Sequence, residues 1–534
     1  MTQKVYLYDT TLRDGSQGEG VSLSVEDKLK IAGRLDLFGI DYIEGGWPAA
    51  NPKDMEFFLR ARNRNWHHAK LAAFGRTRKP GGRVEEDENL LAILQSGVQV
   101  ATIFGKTWDL HVTQALGTSL AENLAMIRET VGFLVAKGLE VVYDAEHFFD
   151  GYKANPAYAL ECLKAAAGAG AAWIVLCDTN GGCLPGEIEE AVKEVSRYIN
   201  APLGIHTHND GELAVANTLA GVVAGCRQVQ GTINGLGERC GNANLCSVIP
   251  NLELKLGYRC LPPGRLRELT EVSRYVSEVA NMVLPNNQPF VGHSAFAHKG
   301  GIHVSAVMKD ASTYEHIPPE KVGNRRRVLV SELAGVSNLR YFASELGVHL
   351  NGRQTSGVVE CIKELERQGY QFEGAEASLE LLVRKAGGEY REPFQVEYFR
   401  IFVEKEADQD AVAEAIIKLR VGDRTIHTAS EGNGPVNALD NALRKALEEC
   451  FPAIRRMRLT DYKVRVLDEK EATSAKVRVL IESRDGESVW NTVGVSTNII
   501  EASWEALLDS MEYALLKQQE EEAGGAVGAA GGTS

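Results

Sequence analysis

Short apolar runs rich in Val, Ile, Leu and aromatic residues alternate with longer amphipathic stretches through the first half of the chain, at a spacing of roughly 30 residues. The runs are KVYLYDTT, DYIEGGW, AKLAAFG, QVATIFG, EVVYDAE, WIVLCDT, LGIHTHN and QVQGTING. Each reads as a strand, and the stretches between them read as helices. Parallel strands need such crossovers, and eight units in series are what a closed TIM (β/α)8 barrel requires. In VSLSVEDKLKIAGRLDLFG, Leu29, Leu35 and Leu37 are expected on the apolar face. Ser24, followed by Glu26 and Asp27, marks the helix start, and Gly39 the stop.

Polar residues gather where these strands end: Asp9 to Asp14, Glu44, Asp144 and Glu146, Asp178 to Asn180, His206 to Asp210, Asn234 to Glu238. Barrel active sites lie at that face. Solvent-facing strand ends carry some polar residues in any barrel, but Asp, Glu, His and Asn at six of the eight exceed that background.

The barrel pattern is expected over residues 1–275. A Pro/Asn-rich segment, LPNNQPFVG, opens a mostly helical linker region over 276–393. From 394 to 517 β-rich segments (FQVEYFRIFVE, YKVRVL, AKVRVLIES) alternate with helices, an α+β domain. It carries an internal repeat: setting Gly422 on Gly486 brings Thr428 onto Thr492, Ala438 onto Ala502, Ala442 onto Ala506 and Leu443 onto Leu507. Residues 518–534, QEEEAGGAVGAAGGTS at their end, read as a flexible tail.

Composition narrows the function. The 534 residues carry a net charge of −14, which argues against a nucleic-acid partner, since phosphate backbones reward basic surfaces. Nine cysteines without paired spacing fit a reducing compartment. The opening MTQKVYLYDTT lacks the apolar stretch of a signal peptide, and no run reaches the roughly 18 apolar residues of a membrane helix. A soluble, cytoplasmic protein with no membrane partner is expected.

In HTHND, His206 and His208 stand two apart at a strand end, so both imidazoles point to one face. Such a pair can grip a transition metal, though many His-x-His pairs are structural. Asp14 follows the first strand, a barrel neighbour of the eighth, and adds a carboxylate. That set leaves positions open for substrate, as a catalytic metal site does. Asn242 offers a further oxygen.

DTTLRDGSQ at residues 9–17, HTHND, and GLGERCGN together resemble the isopropylmalate synthase and homocitrate synthase family of metal-dependent barrel enzymes. The resemblance runs on through FAHKGGIHVSA into the duplicated C-terminal domain. LYDTTLRDGSQGEGVS and DYIEGGWPAANPKD are most similar to its citramalate-forming branch, which condenses acetyl-CoA with pyruvate. The resemblance implies that Asp14, His206, His208 and Asn242 hold a divalent ion (Zn, Mn, Co or Mg). Arg13 would face the forming enolate, where a permanently charged guanidinium stabilises oxyanion charge. Thr179, Gln17 and Arg13 would bind the keto acid. Glu146 would stand near acetyl-CoA, with a plain structural acid as the alternative. His303 and Tyr314 match residues that reach a neighbouring subunit's barrel and move the proton, which implies a homodimer. Gly235, Gly237, Glu238 and Gly241 would approach acetyl-CoA, unless their loop is an ordinary barrel turn. Arg76, Arg78, Lys79 and Arg83 are either solvated or near its phosphates. The C-terminal domain would be regulatory, with isoleucine as effector at turns 431–436 and 495–500.

Other functions compete. A sister synthase using 2-ketoisovalerate or 2-ketoglutarate would share every motif and differ only in steric room. A lyase of related fold carries a cysteine in its glycine loop, and Cys240 keeps that reading open. A biotin-dependent carboxyltransferase shares the DTTLRD-like opening but pairs HTHND with a catalytic lysine on another strand, which this sequence does not place. An amino-acid sensor would leave the barrel constellation without a purpose.

Overall fold

The structure is a computed structural model that describes residues 3–331, 335–388, 390–405, 407, 410–467, 475–486 and 488–530, with side chains to 520. All eight expected runs form strands: β1 (Tyr6–Asp9), β2 (Tyr42–Gly46), β3 (Lys70–Arg76), β4 (Val100–Lys106), β5 (Glu140–Glu146), β6 (Trp173–Asp178), β7 (Leu203–Thr207) and β8 (Gln228–Gly231). They close in sequence order into one parallel barrel, with β1 on β8 from Tyr6 opposite Gln228 to Asp9 opposite Gly231.

The apolar runs are nearly continuous because both strand faces are buried. Leu7, Ile43, Ala73, Ala101 and Ile205 pack outward against the helices. Tyr8, Tyr42, Ala72, Val100, Val142 and Val175 alternate with them and fill the barrel interior. The helix Val25–Phe38 begins at a capping box in which the Asp27 amide donates to Ser24 Oγ (3.1 Å) and the Ser24 amide to Asp27 Oδ2 (3.0 Å). It ends at Gly39, in the left-handed conformation with φ 103°. Leu29 and Leu35 are buried as expected, but Leu37 is 47% exposed. Two residues along a helix is about 200° of rotation, so Leu37 faces away and Phe38 takes the core position.

The chain divides into two compact units: one runs to Phe296 and takes in His316–Arg326; the other holds Ala297–Glu315 and the chain from Arg327 on. The expected boundary at residue 275 falls inside the helix Leu269–Val279. That helix buries Leu269, Val272 and Val276 against the barrel unit, and its Glu271 pairs with Arg34 at 3.0 Å.

In the second unit, β9 (Ala297–His298) and β10 (Arg327–Val328) form a short parallel pair, followed by helices Val336–Glu345, Gly352–Gln368 and Glu376–Gly387. The duplicated domain follows as two three-stranded antiparallel sheets. These are β11 (Gln395–Glu404), β12 (Val412–Val421) and β13 (Arg424–Gly432), then β14 (Met457–Val466), β15 (Val477–Asp485) and β16 (Ser488–Ser496). Each sheet is followed by a helix, Pro435–Leu447 or Ile499–Ala530.

The repeat holds in detail. Thr428 Oγ1 donates to the Ala442 carbonyl (3.1 Å), and Thr492 Oγ1 to that of Ala506 (2.7 Å). The first strand of each copy slips register, between Val396 and Tyr398 and between Leu459 and Asp461. Gly422 and Gly486 turn at φ 57° and 56°. The last helix continues to Ala530, where a flexible tail from 518 was expected; residues 531–534 lie outside the described part. Among the described residues no helix is long and apolar enough to cross a membrane.

Candidate active site

The turn after β1 is set by Asp9. Its buried carboxylate accepts from the Thr11 amide (2.9 Å) and hydroxyl (2.8 Å), while Thr11 Oγ1 accepts from the Ile233 amide (2.9 Å) beyond β8. Burial pushes the Asp9 carboxyl up to about 7. This turn aims Arg13 and Asp14 into the barrel mouth. Arg13 Nε donates to Glu44 Oε1 at 2.5 Å, Nη1 lies 3.3 Å from Asp14 Oδ2, and the guanidinium sits 3.8 Å from the Phe74 ring centroid. Burial works against its charge, but Glu44 and Asp14 more than offset that, so Arg13 stays cationic.

Asp14, His206 and His208 meet, all buried, as the sequence predicts. Asp14 Oδ2 is 3.4 Å from His206 Nε2 and 3.9 Å from His208 Nε2, and the two Nε2 atoms are 3.2 Å apart. Burial pushes the Asp14 carboxyl up, but Arg13 and His206 outweigh it and hold it well below the usual carboxylate range. Burial and the neighbouring His206 push His208 down to about 3. Asn242 stands opposite His208 in an isolated backbone bridge, and its Oδ1 is buried without a hydrogen-bond partner. Converging imidazole nitrogens, a carboxylate held ionised and an unsatisfied amide oxygen are a donor set that a divalent ion fits.

One supporting chain was not foreseen. His206 Nδ1 bonds Gln230 Oε1 (2.9 Å), and Gln230 Nε2 donates to Asp144 Oδ1 (2.9 Å). Since the Gln230 oxygen accepts, His206 Nδ1 donates to it, and in the neutral imidazole Nε2 is then the nitrogen left to ligate. Burial, with Glu44 close by, pushes Asp144 up to about 7. Gln230→Leu is expected to weaken metal binding about 10–100-fold, read by competition with a chelating dye. Unchanged affinity would remove this chain from the site's function.

The mouth encloses a cavity of about 230 Å3. Arg13, Asp14, Gln17, Glu146, Thr179, His206, His208 and Glu238 line it, together with Trp47, Phe74, Phe104, Cys177, Asp144 and Arg239. Trp47, Phe74 and Phe104 form an aromatic wall with centroids 5.2–5.7 Å apart. Trp47 is pinned by its amide to Asp54 Oδ2 (2.9 Å) and by Nε1 to Asn89 Oδ1 (2.6 Å). Asp54 is held in turn by the buried Lys28 at 2.5 Å. Gly46, at φ 145°, leaves Asp54 its room, since a Cβ there would lie 2.3 Å from the Asp54 carboxyl carbon. Nothing in a strand-end scan marks these aromatics, because they gain a role only when three strands converge.

The glycine loop has an internal reason for its composition. A Cβ on Gly237 would lie 2.2 Å from Asn242 Nδ2, and one on Gly241 would lie 2.0 Å from the Gly235 carbonyl. These glycines let the loop close on itself around Asn242. Arg239 reaches from the same loop, bidentate to Asp210 at 2.7 and 2.9 Å and donating to the Thr179 carbonyl at 2.8 Å. Glu146 pairs with Lys106.

The basic run after β3 is matched by acids. Arg78 is buried against Glu122 (2.6 Å) and Glu129 (2.7 Å), Arg76 pairs with Asp87 (3.2 Å), and Arg83 lies near Glu85 and Glu86. Three of its four cations therefore have acidic partners. His303 and Tyr314 belong to the second unit, where their rings stack with centroids 4.3 Å apart.

A closed (β/α)8 barrel with a buried Asp–His–His cluster at its C-terminal mouth defines a metal-site barrel enzyme. The HMGL-like family profile matches residues 4–276, a homocitrate synthase post-HMGL domain-like profile 290–370, and the LeuA allosteric (dimerisation) domain 373–515. The chain belongs to the HMGL-like family and, within it, to the group of (R)-citramalate synthases. The (R)-citramalate synthase of Aquifex aeolicus is 57% identical over 98% of this chain and 99% of its own length; that of Geobacter sulfurreducens is 56% identical over 97% and 99%. A probable 2-isopropylmalate synthase of Methanopyrus kandleri is 34% identical over 95% and 98%.

Proposed function

We propose that the chain joins acetyl-CoA to pyruvate and hydrolyses the resulting thioester to (R)-citramalate and CoA. The observation that carries this reading is near-full-length identity of 48–57% to five (R)-citramalate synthases, against 34% to the probable 2-isopropylmalate synthase.

In the reaction a base takes a proton from the acetyl methyl group, and the enolate carbon attacks C2 of pyruvate. The C2 oxygen is protonated to a tertiary alcohol; water then adds to the thioester and the CoA thiol leaves. A divalent ion (Zn, Mn, Co or Mg) held by Asp14, His206, His208 and Asn242 would supply Lewis-acid polarisation of the keto group. Arg13, fixed by Glu44 and Phe74, faces the developing oxyanion. Thr179 and Gln17 bind the keto acid. Glu146 orients the thioester or its attacking water, and Gly235, Gly237, Glu238 and Gly241 border acetyl-CoA. His303 and Tyr314 of a second copy complete the proton transfer, so the working form is a homodimer. The equivalent turns 431–436 and 495–500, each joining a last strand to its helix, bind isoleucine as the end-product effector. The setting is cytoplasmic branched-chain amino-acid synthesis.

The test is thiol release from acetyl-CoA by the metal-loaded chain with pyruvate, 2-ketoisovalerate or 2-ketoglutarate. Pyruvate is expected to lead by at least about tenfold, the scale on which a tight apolar pocket discriminates. Preference for 2-ketoisovalerate would move the chain to the sister reaction.

A further inference from the structure

His147 stands between two residues of the proposed site, directly after Glu146 at the end of β5 and across from Thr179 after β6. Its backbone is left-handed, φ 54° and ψ 34°, a conformation that disfavours residues with a Cβ. Such strain persists where surroundings over-determine it, and it gathers at functional sites. Here the surroundings are visible. The His147 ring bonds Asp150 Oδ2 through Nδ1 (3.0 Å) and meets the His111 ring edge-on, centroids 4.2 Å apart. Asp150 Oδ2 also accepts from Asn180 Nδ2 (3.1 Å), next to Thr179.

The product of that conformation is one hydrogen bond. The His147 amide donates to Thr179 Oγ1 at 2.9 Å. A threonine hydroxyl carries one proton and two lone pairs. With a lone pair engaged from behind by a backbone amide, the proton is directed elsewhere, and among the described residues it has no acceptor. Thr179 lines the cavity, and its carbonyl is held by Arg239.

We propose that His147 is a positioning residue whose left-handed amide pre-orients the Thr179 hydroxyl as a donor to an anionic oxygen of the keto acid. This rests on the reading of the cavity as the keto-acid site. The ring serves to hold the backbone, so the role should pass to residues that adopt the same conformation without it. Asn and Gly do so readily, whereas a β-branched residue does not.

The experiment is calorimetric titration of pyruvate into the metal-loaded full chain, with KM for acetyl-CoA measured alongside. His147→Val is expected to raise the pyruvate Kd about tenfold, the scale of one hydrogen bond to a charged group, and to leave the acetyl-CoA KM within twofold. His147→Asn and His147→Gly are expected to raise that Kd less than threefold. In a Thr179→Val background the further change His147→Val should add less than twofold, because the oriented hydroxyl is gone. Equal losses in Val, Asn and Gly variants, or a full tenfold loss in the Thr179→Val background, would overturn the proposal. If the Val variant melts early, His147→Ala replaces it with the same ordering against Asn. Failure of wild type to bind pyruvate while binding 2-ketoisovalerate would overturn the substrate reading alone; the coupling is then read with that acid.

Discussion

Arg13→Ala is expected to lower kcat about 100- to 1000-fold while changing the KM for pyruvate far less. A donor aimed at charge that develops only in the transition state contributes on that scale. The guanidinium is fixed on three sides, by Glu44 at 2.5 Å, Asp14 at 3.3 Å and the Phe74 face at 3.8 Å, so little reorganisation accompanies its action. Arg13→Lys keeps the charge but loses both the Nε hydrogen bond to Glu44 and the stacking on Phe74. It should recover no more than a small part of the lost rate. Steady-state kinetics on both variants checks this, and an Arg13→Lys enzyme with wild-type kcat would mean that charge alone suffices.

The second large effect concerns the ligand cluster. Asp14→Asn removes the negative charge that faces both imidazoles, leaving an amide whose nitrogen cannot serve as a ligand. Lewis-acid polarisation is worth several kcal/mol, so a loss of about 1000-fold or more in kcat/KM is expected, together with loss of bound metal. The same substitution frees Arg13 from one of its two acidic partners, so melting temperature should be followed in parallel. Full metal occupancy in the variant, measured by elemental analysis, would place the ion elsewhere.

The barrel was legible because a parallel strand buried on both faces leaves a nearly unbroken apolar run, and all eight runs became strands. Asp14, His206 and His208 were legible because strand ends carry side chains to a known face, and the structure brings them together. The C-terminal repeat was legible from a 64-residue offset, which the paired Thr428–Ala442 and Thr492–Ala506 bonds repeat in space. Less visible were contacts made only by folding. Trp47, Phe74 and Phe104 come from three separate strand ends, and no local pattern links them. Gln230 sits in an unremarkable strand and becomes important only because His206 and Asp144 flank it. The boundary expected at 275 agrees with the end of the HMGL-like match at 276, yet the compact barrel unit runs on to Phe296. The Pro/Asn-rich segment marks a change in local texture, whereas the buried face of Leu269–Val279 keeps that helix with the barrel. His147 also escaped notice, since its left-handed backbone carries no compositional signal outside glycine.

The most direct measurement is product analysis by mass spectrometry after incubating the metal-loaded chain with pyruvate and acetyl-CoA labelled with 13C in the acetyl group. Citramalate carrying both labelled carbons, absent after chelation and restored by added metal, is the predicted result. CoA release without a labelled condensation product would contradict the central claim that this barrel mouth forms a carbon–carbon bond to pyruvate.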